Sequence, residues 1–290
     1  MQSLLRERVL DWYAVHARPL PWRDPSCTPW GVLVSEVMSH QTPVARVEPV
    51  WLEWMQRWPS AAALAAESPG EVVRAWGRLG YPRRALRLRE AAAAIVEQHD
   101  GQVPDAEDAL RALPGVGAYT SAAVAAFAFG RRTTVVDTNV RRVLARVLEG
   151  KAFAAPALTV AESALAASLV PLDPPTSATW NVAVMELGAL VCSARAPRCE
   201  ECPVLDLCAW VSAGRPADDG PPRRAQAWHG TDRQVRGAVL QLLREHPGAL
   251  DRGTLEAAGP DAAQVDRCLA SLVEDGLLEP DGEDHYRLPS

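Results

Sequence analysis

Four closely spaced cysteines constrain what this chain can fold into more than any other feature. They are Cys192, Cys199, Cys202 and Cys208, spaced C-x6-C-x2-C-x5-C within seventeen residues. The first gap is wider than in the paired knuckles of structural zinc sites, whereas Fe–S clusters are commonly held by four cysteines at uneven spacing. The surrounding residues are polar, which argues against a core segment with one disulfide. The spacing therefore predicts a loop built around an Fe–S cluster, with zinc as the alternative.

The composition is that of a globular protein with room for two domains. The chain has 290 residues, of which 48% are hydrophobic and 23% charged. No apolar stretch approaches the roughly 20 residues that span a bilayer, and the first residues lack the apolar region of a signal peptide. We therefore expect no membrane association and a location in the cytosol. The net charge of −6 argues mildly against nucleic-acid binding, although much of the acidic surplus follows residue 215.

The spacing of apolar residues predicts a mostly helical core over residues 1–213. Hydrophobic residues recur every three or four positions, and the pattern breaks at proline and glycine. Residues 214–230 are rich in glycine, proline and charge and predict a linker. Residues 231–290 predict three helices and a terminal hairpin, which resemble a small winged helix. Such modules bind DNA or protein, and the acidic residues here argue against direct binding to duplex DNA.

A glycine-rich turn precedes one of the predicted helices. Residues 113–121 read Leu-Pro-Gly-Val-Gly-Ala-Tyr-Thr-Ser, so that Gly115, Val116 and Gly117 form the turn. Free backbone N–H groups at the start of a helix attract phosphate, and glycine lets a nucleic-acid backbone approach closely. A plain turn between two helices is the alternative.

Two acidic residues stand in apolar surroundings. Asp137 follows two valines and precedes a predicted helix, where it either caps that helix or lies in a partly desolvated cleft. Glu36 lies among Val34, Val37 and Met38, where it either faces solvent or is buried with a raised pKa, ready to act as a general acid. Hydrolysis of a glycosidic bond needs two carboxylates in different environments.

Together these motifs resemble one known family. The sequences Leu-Pro-Gly-Val-Gly, Val-Asp-x-Asn-Val-x-Arg-Val and Ser-Glu-Val-Met, with the cysteine spacing, are similar to the endonuclease III superfamily of helix–hairpin–helix DNA glycosylases, and most of all to its MutY-type adenine glycosylases. The resemblance implies an all-α, two-lobed fold with a DNA-binding cleft and a [4Fe-4S] cluster held by residues 192–208. It also implies a monomer that acts on duplex DNA and excises adenine mispaired with 8-oxoguanine or guanine.

The resemblance also implies roles for individual residues. Glu36 matches the acid that protonates adenine, and Asp137 matches the carboxylate that stabilises the oxocarbenium ion, with Asn139 and Tyr119 in support. The residues expected around the adenine are Arg18, Trp22 and Val182. The residues expected to contact DNA are Ser39, His40, Gln41, Thr42, Gly115, Val116 and Gly117.

Tyr119 separates this chain from relatives that also cleave the DNA strand. Those relatives carry a lysine at this position, and a Schiff base requires an amine. The single lysine of the chain, Lys151, lies elsewhere. We therefore expect a monofunctional glycosylase with little or no AP-lyase activity.

Three departures from the family pattern leave the substrate open. Ser39 and His40 replace the usual Leu and Gln after the catalytic acid, and Val182 replaces a Gln or Glu. The residues after the linker are too few for the MutT-like domain that reads 8-oxoguanine in many relatives. One alternative is a sister glycosylase for a different mispaired or damaged base. Another is a catalytically weak, cluster-bearing DNA-binding protein that recruits a partner through its C-terminal module.

Overall fold

The structure, a computed structural model, describes residues 1–218 and 228–290 and is mostly helical, as predicted. Most of the predicted linker, residues 219–227, lies outside the described residues. The helices are α1 (Gln2–His16), α2 (Pro29–Ser39), α3 (Val44–Arg57), α4 (Ala61–Ala65), α5 (Pro69–Trp76), α6 (Arg83–Gln98), α7 (Glu107–Ala112), α8 (Ala118–Phe129), α9 (Thr138–Glu149), α10 (Val160–Leu169), α11 (Pro174–Leu190), α12 (Ala209–Ser212), α13 (Asp232–Glu245), α14 (Arg252–Glu256) and α15 (Ala262–Glu274). The strands are β1 (Leu250–Asp251), β2 (Glu279–Pro280) and β3 (His285–Arg287). No described helix is long and apolar enough to cross a membrane.

The chain divides into two compact units. Unit 1 comprises Met1–Val32, Pro104–Ala112 and Val116–Pro222, and unit 2 comprises Leu33–Val103, Leu113–Gly115 and Arg223–Ser290. The chain crosses from one unit to the other within α2 and again at the glycine hairpin. Each unit is therefore assembled from segments that are distant in the sequence.

Unit 1 has a core formed by helices α1, α9 and α11. Leu5 and Val9 of α1 pack with Val143 of α9 and with Trp180 and Leu187 of α11, and all five are at least 95% buried. Each apolar side chain buried in this way contributes about 1.5–3 kcal/mol. Val204 and Cys208 belong to the same core, so the cysteine loop is anchored on α9 and α11.

Unit 2 contains a second core around three tryptophans. The ring of Trp54 lies edge-on to Trp58 at 4.8 Å and to Trp76 at 5.5 Å between ring centroids. Such edge-to-face pairs add about 0.5–1.5 kcal/mol each beyond the burial of their surface. Ser60 and Ser68 cap α4 and α5 by accepting hydrogen bonds from backbone N–H groups of the first turn.

The C-terminal module of unit 2 has three helices and a three-stranded antiparallel sheet in the order β1-β3-β2. Leu250 pairs with Tyr286, and Glu279 pairs with Arg287. The predicted helices and hairpin are present, and strand β1 is an addition that the sequence pattern did not reveal. The module's apolar core extends to Val73 of α5 and includes contacts from Leu86 of α6.

Candidate active site and cysteine centre

Asp137 lies at the N-terminus of α9 and both of its carboxylate oxygens are held. Oδ1 accepts a hydrogen bond from the Val140 N–H at 2.7 Å, and Oδ2 accepts one from the Asn139 side chain at 2.7 Å. Asp137 therefore caps α9 through Oδ1, and its Oδ2 is held in one orientation by Asn139. Burial raises the pKa of this carboxyl, although the two hydrogen bonds and the charge of Arg142 oppose the shift. The cap that the sequence allowed is therefore present, and the same carboxyl is also partly desolvated.

Asn139 is fixed from the other side by Arg142. Its Oδ1 accepts a hydrogen bond from Arg142 Nη2 at 2.6 Å, and the same guanidinium reaches the carbonyl oxygens of Gly188 and Cys192, each at 2.7 Å. A Cβ atom at Gly188 would lie 2.7 Å from the Cβ of Asn139, so only glycine allows α11 to pass this close to α9. A continuous chain of polar contacts therefore joins Asp137 to the first cysteine.

The predicted base-pocket residue Arg18 is bound to a carboxylate that sequence reasoning missed. Arg18 donates through Nε and Nη2 to Glu186 at 2.7 and 2.6 Å, and Arg23 donates to both Glu186 oxygens at 3.0 and 2.9 Å. The Glu186 side chain is only 1% exposed. Burial alone would raise its pKa, but the hydrogen bonds from the two arginines outweigh that effect and hold the pKa at about 2.

Val182 stands one helical turn before Glu186 on α11, so the two side chains share a face of that helix. Trp22 lies between the two arginines in a short 3-10 turn and is partly buried. Of the predicted pocket residues, Arg18 therefore contacts Glu186 directly, Val182 shares its helix face, and Trp22 is the sequence neighbour of its second partner, Arg23. The sequence signal that could have found Glu186 is an acid within the apolar run Val184-Met185-Glu186-Leu187.

Tyr119 lies in the first turn of α8 and packs against a small apolar cluster that includes Ala122, Ala126 and Val135. The helix begins after Gly117, which has no side-chain cap, and a Cβ atom at Gly117 would meet nothing within 4 Å. There is thus space for a backbone to approach the start of α8 at Gly117. Gly115, in unit 2, has a positive φ of 74°, and a Cβ there would lie 2.8 Å from the Cβ of Arg87.

Glu36 lies on α2 in unit 2 and is only 8% exposed. Its helix ends at Ser39, and Arg84 caps that end by donating to the carbonyl oxygens of Val37, Met38 and His40 at 2.7–3.2 Å. Of the two alternatives for Glu36, exposure to solvent or burial, the structure therefore shows burial. The C-terminus of its helix is capped by the Arg84 guanidinium.

The turn after α2 brings together the predicted DNA-contact residues His40, Gln41 and Thr42. Thr42 is buried and donates to the Leu79 carbonyl at 3.1 Å, whereas Gln41 is exposed with a positive φ of 53°. Burial, followed by the charge of Arg84, lowers the pKa of His40. Both effects favour the neutral ring over the positively charged one.

Tyr81 joins this turn, although sequence reasoning did not single it out. Its hydroxyl donates to Gln41 Oε1 at 2.8 Å, and the Arg84 guanidinium lies 5.5 Å from its ring centroid. The residue is 53% exposed and has a positive φ of 48°, which is unusual for an aromatic residue. The sequence signal was the run Gly80-Tyr81-Pro82, a turn that carries one large aromatic side chain.

The four cysteines line one cavity in unit 1 together with apolar residues of α9 and α11. Arg146, only 2% exposed, fixes the loop by donating to Cys192 Sγ at 3.3 Å and to the Ser193 and Ala194 carbonyl oxygens at 2.8 and 3.1 Å. Its guanidinium also lies 4.7 Å from the ring of Trp210. In residues 1–218 and 228–290, no three His, Cys, Asp or Glu side chains gather as the ligands of a single metal ion do.

Comparisons with known proteins agree with this geometry. The family model of the HhH-GPD superfamily base excision DNA repair proteins matches residues 34–164. An adenine DNA glycosylase of Mycobacterium tuberculosis is 50% identical over 97% of this chain and 92% of its own length. That of Mycolicibacterium smegmatis is 50% identical over 99% of this chain and 96% of its own length. The chain belongs to the adenine DNA glycosylase family.

A solved structure supports the same fold. A thermostable thymine-DNA glycosylase is similar with a TM-score of 0.66 and 27% identity, over 73% of this chain and 97% of that protein. The resemblance to helix–hairpin–helix glycosylases that the motifs indicated is therefore confirmed, and so is the all-helical fold of the core.

The cofactor prediction is also confirmed. The family model of the iron-sulfur binding domain of endonuclease III matches residues 192–208, which begin and end at the first and last of the four cysteines. The residues fit a [4Fe-4S] cluster, because four thiol side chains surround one cavity with apolar walls and Arg146 supplies a positive charge beside them. Bound there, the cluster would tie the 192–208 loop to α9 and α11.

Proposed function

We propose that this protein excises adenine that is mispaired with 8-oxoguanine or guanine in duplex DNA, by hydrolysis of the N-glycosidic bond. Membership of the adenine DNA glycosylase family supports the reaction and the base. The observation that carries the proposal is Asp137, because a carboxylate with two fixed oxygens and restricted access to water can stabilise a developing cation. Bulk water in an open site would weaken this attraction between the carboxylate and the cation.

In the proposed mechanism, Asp137 stabilises the oxocarbenium ion and Asn139 keeps its second oxygen in one direction. Since Arg142 holds the Asn139 amide, the carboxylate cannot turn away from the sugar without breaking two hydrogen bonds. Burial disfavours the ionised form of Asp137 in the resting enzyme, and a cation beside it relieves that penalty. The interaction is therefore stronger in the transition state than in the resting enzyme, which is what accelerates a reaction.

Glu36 is proposed as the general acid that protonates the departing adenine. Its burial among the apolar residues of α2 supports this role, because burial disfavours the ionised form and so keeps a carboxyl group protonated until a base accepts the proton. After the adenine leaves, water adds to the oxocarbenium ion and gives a proton to the ionised acid, which completes the hydrolysis. Arg18 and Trp22 are proposed to line the adenine pocket. The bidentate bond to Glu186 commits one edge of the Arg18 guanidinium and leaves its Nη1 side for the base.

The DNA contacts are proposed at two places. The N-terminus of α8, which begins after Gly117, binds a phosphate, since a helix N-terminus favours an anion. The exposed Tyr81 and the turn of Ser39, His40 and Gln41 fill the stack that the extruded base leaves, and an aromatic ring offsets part of the unstacking cost of a few kcal/mol.

The absence of an amine at residue 119 supports a monofunctional enzyme. Tyr119 cannot form a Schiff base, and Lys151 is 65% exposed and pairs with Glu149 at 3.4 Å. We therefore expect excision without strand cleavage.

A second candidate function is excision of a different base. Ser39 and His40 support it, because they alter the turn that fills the DNA stack, and so does the likeness to a thymine-DNA glycosylase. The C-terminal module as a recruitment site for a protein partner also stays a prediction, as do the monomeric state and the cytosolic location.

Single-turnover excision separates these candidates. The substrates are duplexes with 8-oxoguanine:A, G:A, G:T and 8-oxoguanine:C, and the control is Asp137→Asn. We expect adenine release opposite 8-oxoguanine and guanine, with a rate about 10³-fold lower in the variant. Release of thymine alone would contradict the proposed adenine excision and support the second candidate function. A DNA adduct trapped by borohydride would show that the enzyme also has lyase activity.

A further inference from the structure

Unit 2 contains a groove of about 680 Å³ between the turn that follows α5 and helix α13 of the C-terminal module. Arg46 and Arg78 lie on one wall, and Arg244 lies on the other. Trp228, Gly237 and Gln241 are also among the residues that line it. None of the described residues that line the groove is acidic, although the C-terminal part of the chain carries most of the protein's acidic surplus.

The three arginines supply positive charge that no carboxylate among the described residues neutralises. Among the described residues, none of the three guanidinium groups lies within 4 Å of an acidic oxygen. Arg46 donates to the Arg78 carbonyl oxygen, and Arg244 donates through Nε to the Val73 carbonyl at 3.0 Å. Burial and the nearby charge of Arg74 lower the pKa of Arg244 to about 10, so it stays charged at neutral pH. An anion in the groove would relieve this unbalanced charge.

The shape and chemistry of the groove suit an extended ligand. Helix α13 presents Gln234, Gly237, Ala238 and Gln241, which are spaced i, i+3, i+4 and i+7 and so share one face. A Cβ atom at Gly237 would meet nothing within 4 Å, so a ligand can approach the helix backbone there. Trp228 is 48% exposed and offers a flat ring at the rim. A free phosphate ion would fill little of this volume.

We propose that this groove binds the sugar–phosphate backbone of the DNA substrate. The proposal rests on the proposed function only in that the substrate is duplex DNA. The groove is continuous with the turn already described, because Gly80 lines it and the next residue, Tyr81, donates to Gln41. Three acidic residues of the module, Asp232, Glu256 and Asp266, pair with arginines outside the groove lining. Glu245 does not line the groove, although it accepts a hydrogen bond from the lining residue Gln241. The acidic composition that argues against duplex binding by this module therefore does not extend to the described lining of the groove.

The test is equilibrium binding of the full chain to a labelled duplex at several salt concentrations. Gly237→Glu places a carboxylate in open space within the groove, and Ala270→Glu places the same charge on the exposed side of α15. We expect Gly237→Glu to weaken binding about tenfold and to lower the slope of log K against log salt by about 1, with Ala270→Glu within about threefold of the wild type. Equal binding by the two variants would overturn the proposal.

Arg46→Gln tests the opposite wall without changing α13. We expect a similar loss of affinity and a similar change in slope, and an unchanged slope would also overturn the proposal. Because this assay has no excision step, it is independent of the base that the enzyme removes. A wild-type protein that releases no adenine, while Gly237→Glu still loses DNA affinity, would refute the proposed function and leave the groove intact.

Discussion

Glu186 holds a negative charge where almost no water reaches it, so its pairing with Arg18 and Arg23 links stability to pH. Its pKa falls from an ordinary 4.5 to about 2 in the folded protein. A carboxyl whose folded pKa is depressed adds stability above the unfolded pKa and loses it as pH falls through the folded pKa. We therefore predict that wild-type protein loses about 2 kcal/mol from this group between pH 6 and pH 3, measured by urea unfolding.

Glu186→Gln should lack this dependence and should be less stable at pH 7 by about 2–4 kcal/mol, since two partly buried guanidinium groups lose their counter-charge. The matched control is Glu90→Gln, whose partner Arg87 and own side chain are both about half exposed. That change should alter the unfolding free energy by less than about 1 kcal/mol. Equal effects of the two variants would contradict the prediction.

The sequence predicted those site residues that stand in a local motif or an apolar run. It did not predict those whose partners are distant in the sequence. Asp137 stands before a helix in a motif, and Glu36 stands alone in an apolar run. Glu186 was not predicted, because its partners Arg18 and Arg23 lie more than 160 residues earlier in the sequence. Tyr81 was missed because its unusual φ and its bond to Gln41 depend on a folded turn.

The contact between α9 and α11 at Gly188 sets the position of the candidate catalytic carboxylate. A methyl group there would meet Asn139 at 2.7 Å, and its backbone at 3.0 Å, so α9 must move away. We predict that Gly188→Ala slows single-turnover excision about 100-fold, because a displacement near 1 Å is enough for such a loss. It should cost about 1–3 kcal/mol of stability.

The control for Gly188→Ala is Ala189→Ser, a similar increase in size at the next residue of α11, which faces solvent. It should leave both the excision rate and the unfolding free energy within error of the wild type. If Gly188→Ala kept the wild-type rate, the position of Asn139 would not matter for catalysis.

Helix α9 also fixes the cysteine loop through Arg146. Arg146→Met would remove a buried cation and leave the Ser193 and Ala194 carbonyl oxygens of the loop, and that of Ala152, without this donor, at a cost of about 3 kcal/mol. We predict faster loss of the cluster in air, measured as bleaching of its visible absorbance. Arg195→Gln, an exposed change within the same loop, should bleach at the wild-type rate. Identical bleaching of all three proteins would show that Arg146 does not hold the loop.

Helices were predictable from the sequence because their apolar spacing and their caps are local. The end of α8 at Gly130 and the start of α5 at Ser68 and Pro69 coincide with the predicted breaks. Strand β1 was not predictable, because its two residues become a strand only by pairing with β3, some 35 residues later. The division of the chain into units that exchange segments at residues 33, 104 and 113 is likewise a property of the folded chain.

At the scale of the whole molecule, the sequence predicted a C-terminal module after a linker but gave no sign of what it packs against. The structure shows polar as well as apolar contacts between this module and α5. Arg74 donates to the Leu243 and His246 carbonyl oxygens at 3.1 and 3.2 Å, and Val73 belongs to the module's core. These contacts join residues about 170 positions apart, so they could not be predicted from the local spacing of apolar residues.

Gly70 tests how the module is held, because it is the point of α5 that the end of the chain approaches most closely. A Cβ atom there would lie 2.4 Å from the Pro289 carbonyl oxygen and 3.2 Å from the Leu288 Cβ. Backbone atoms cannot turn aside as a flexible side chain can, so Gly70→Ala must push the C-terminal segment away from α5. We predict faster hydrogen exchange in β3, because that strand leads directly into the displaced residues.

Gly248→Ala is the matched control, since its added methyl group would meet only the His246 ring, at 3.8 Å or more. It should leave exchange in β3 unchanged. The visible absorbance of the cluster should be unchanged in both variants, because the cysteines belong to unit 1 and Gly70 to unit 2. Loss of the cluster in Gly70→Ala would mean that the two units do not fold independently, whereas unchanged exchange in β3 would mean that the C-terminal segment does not need its contact with α5.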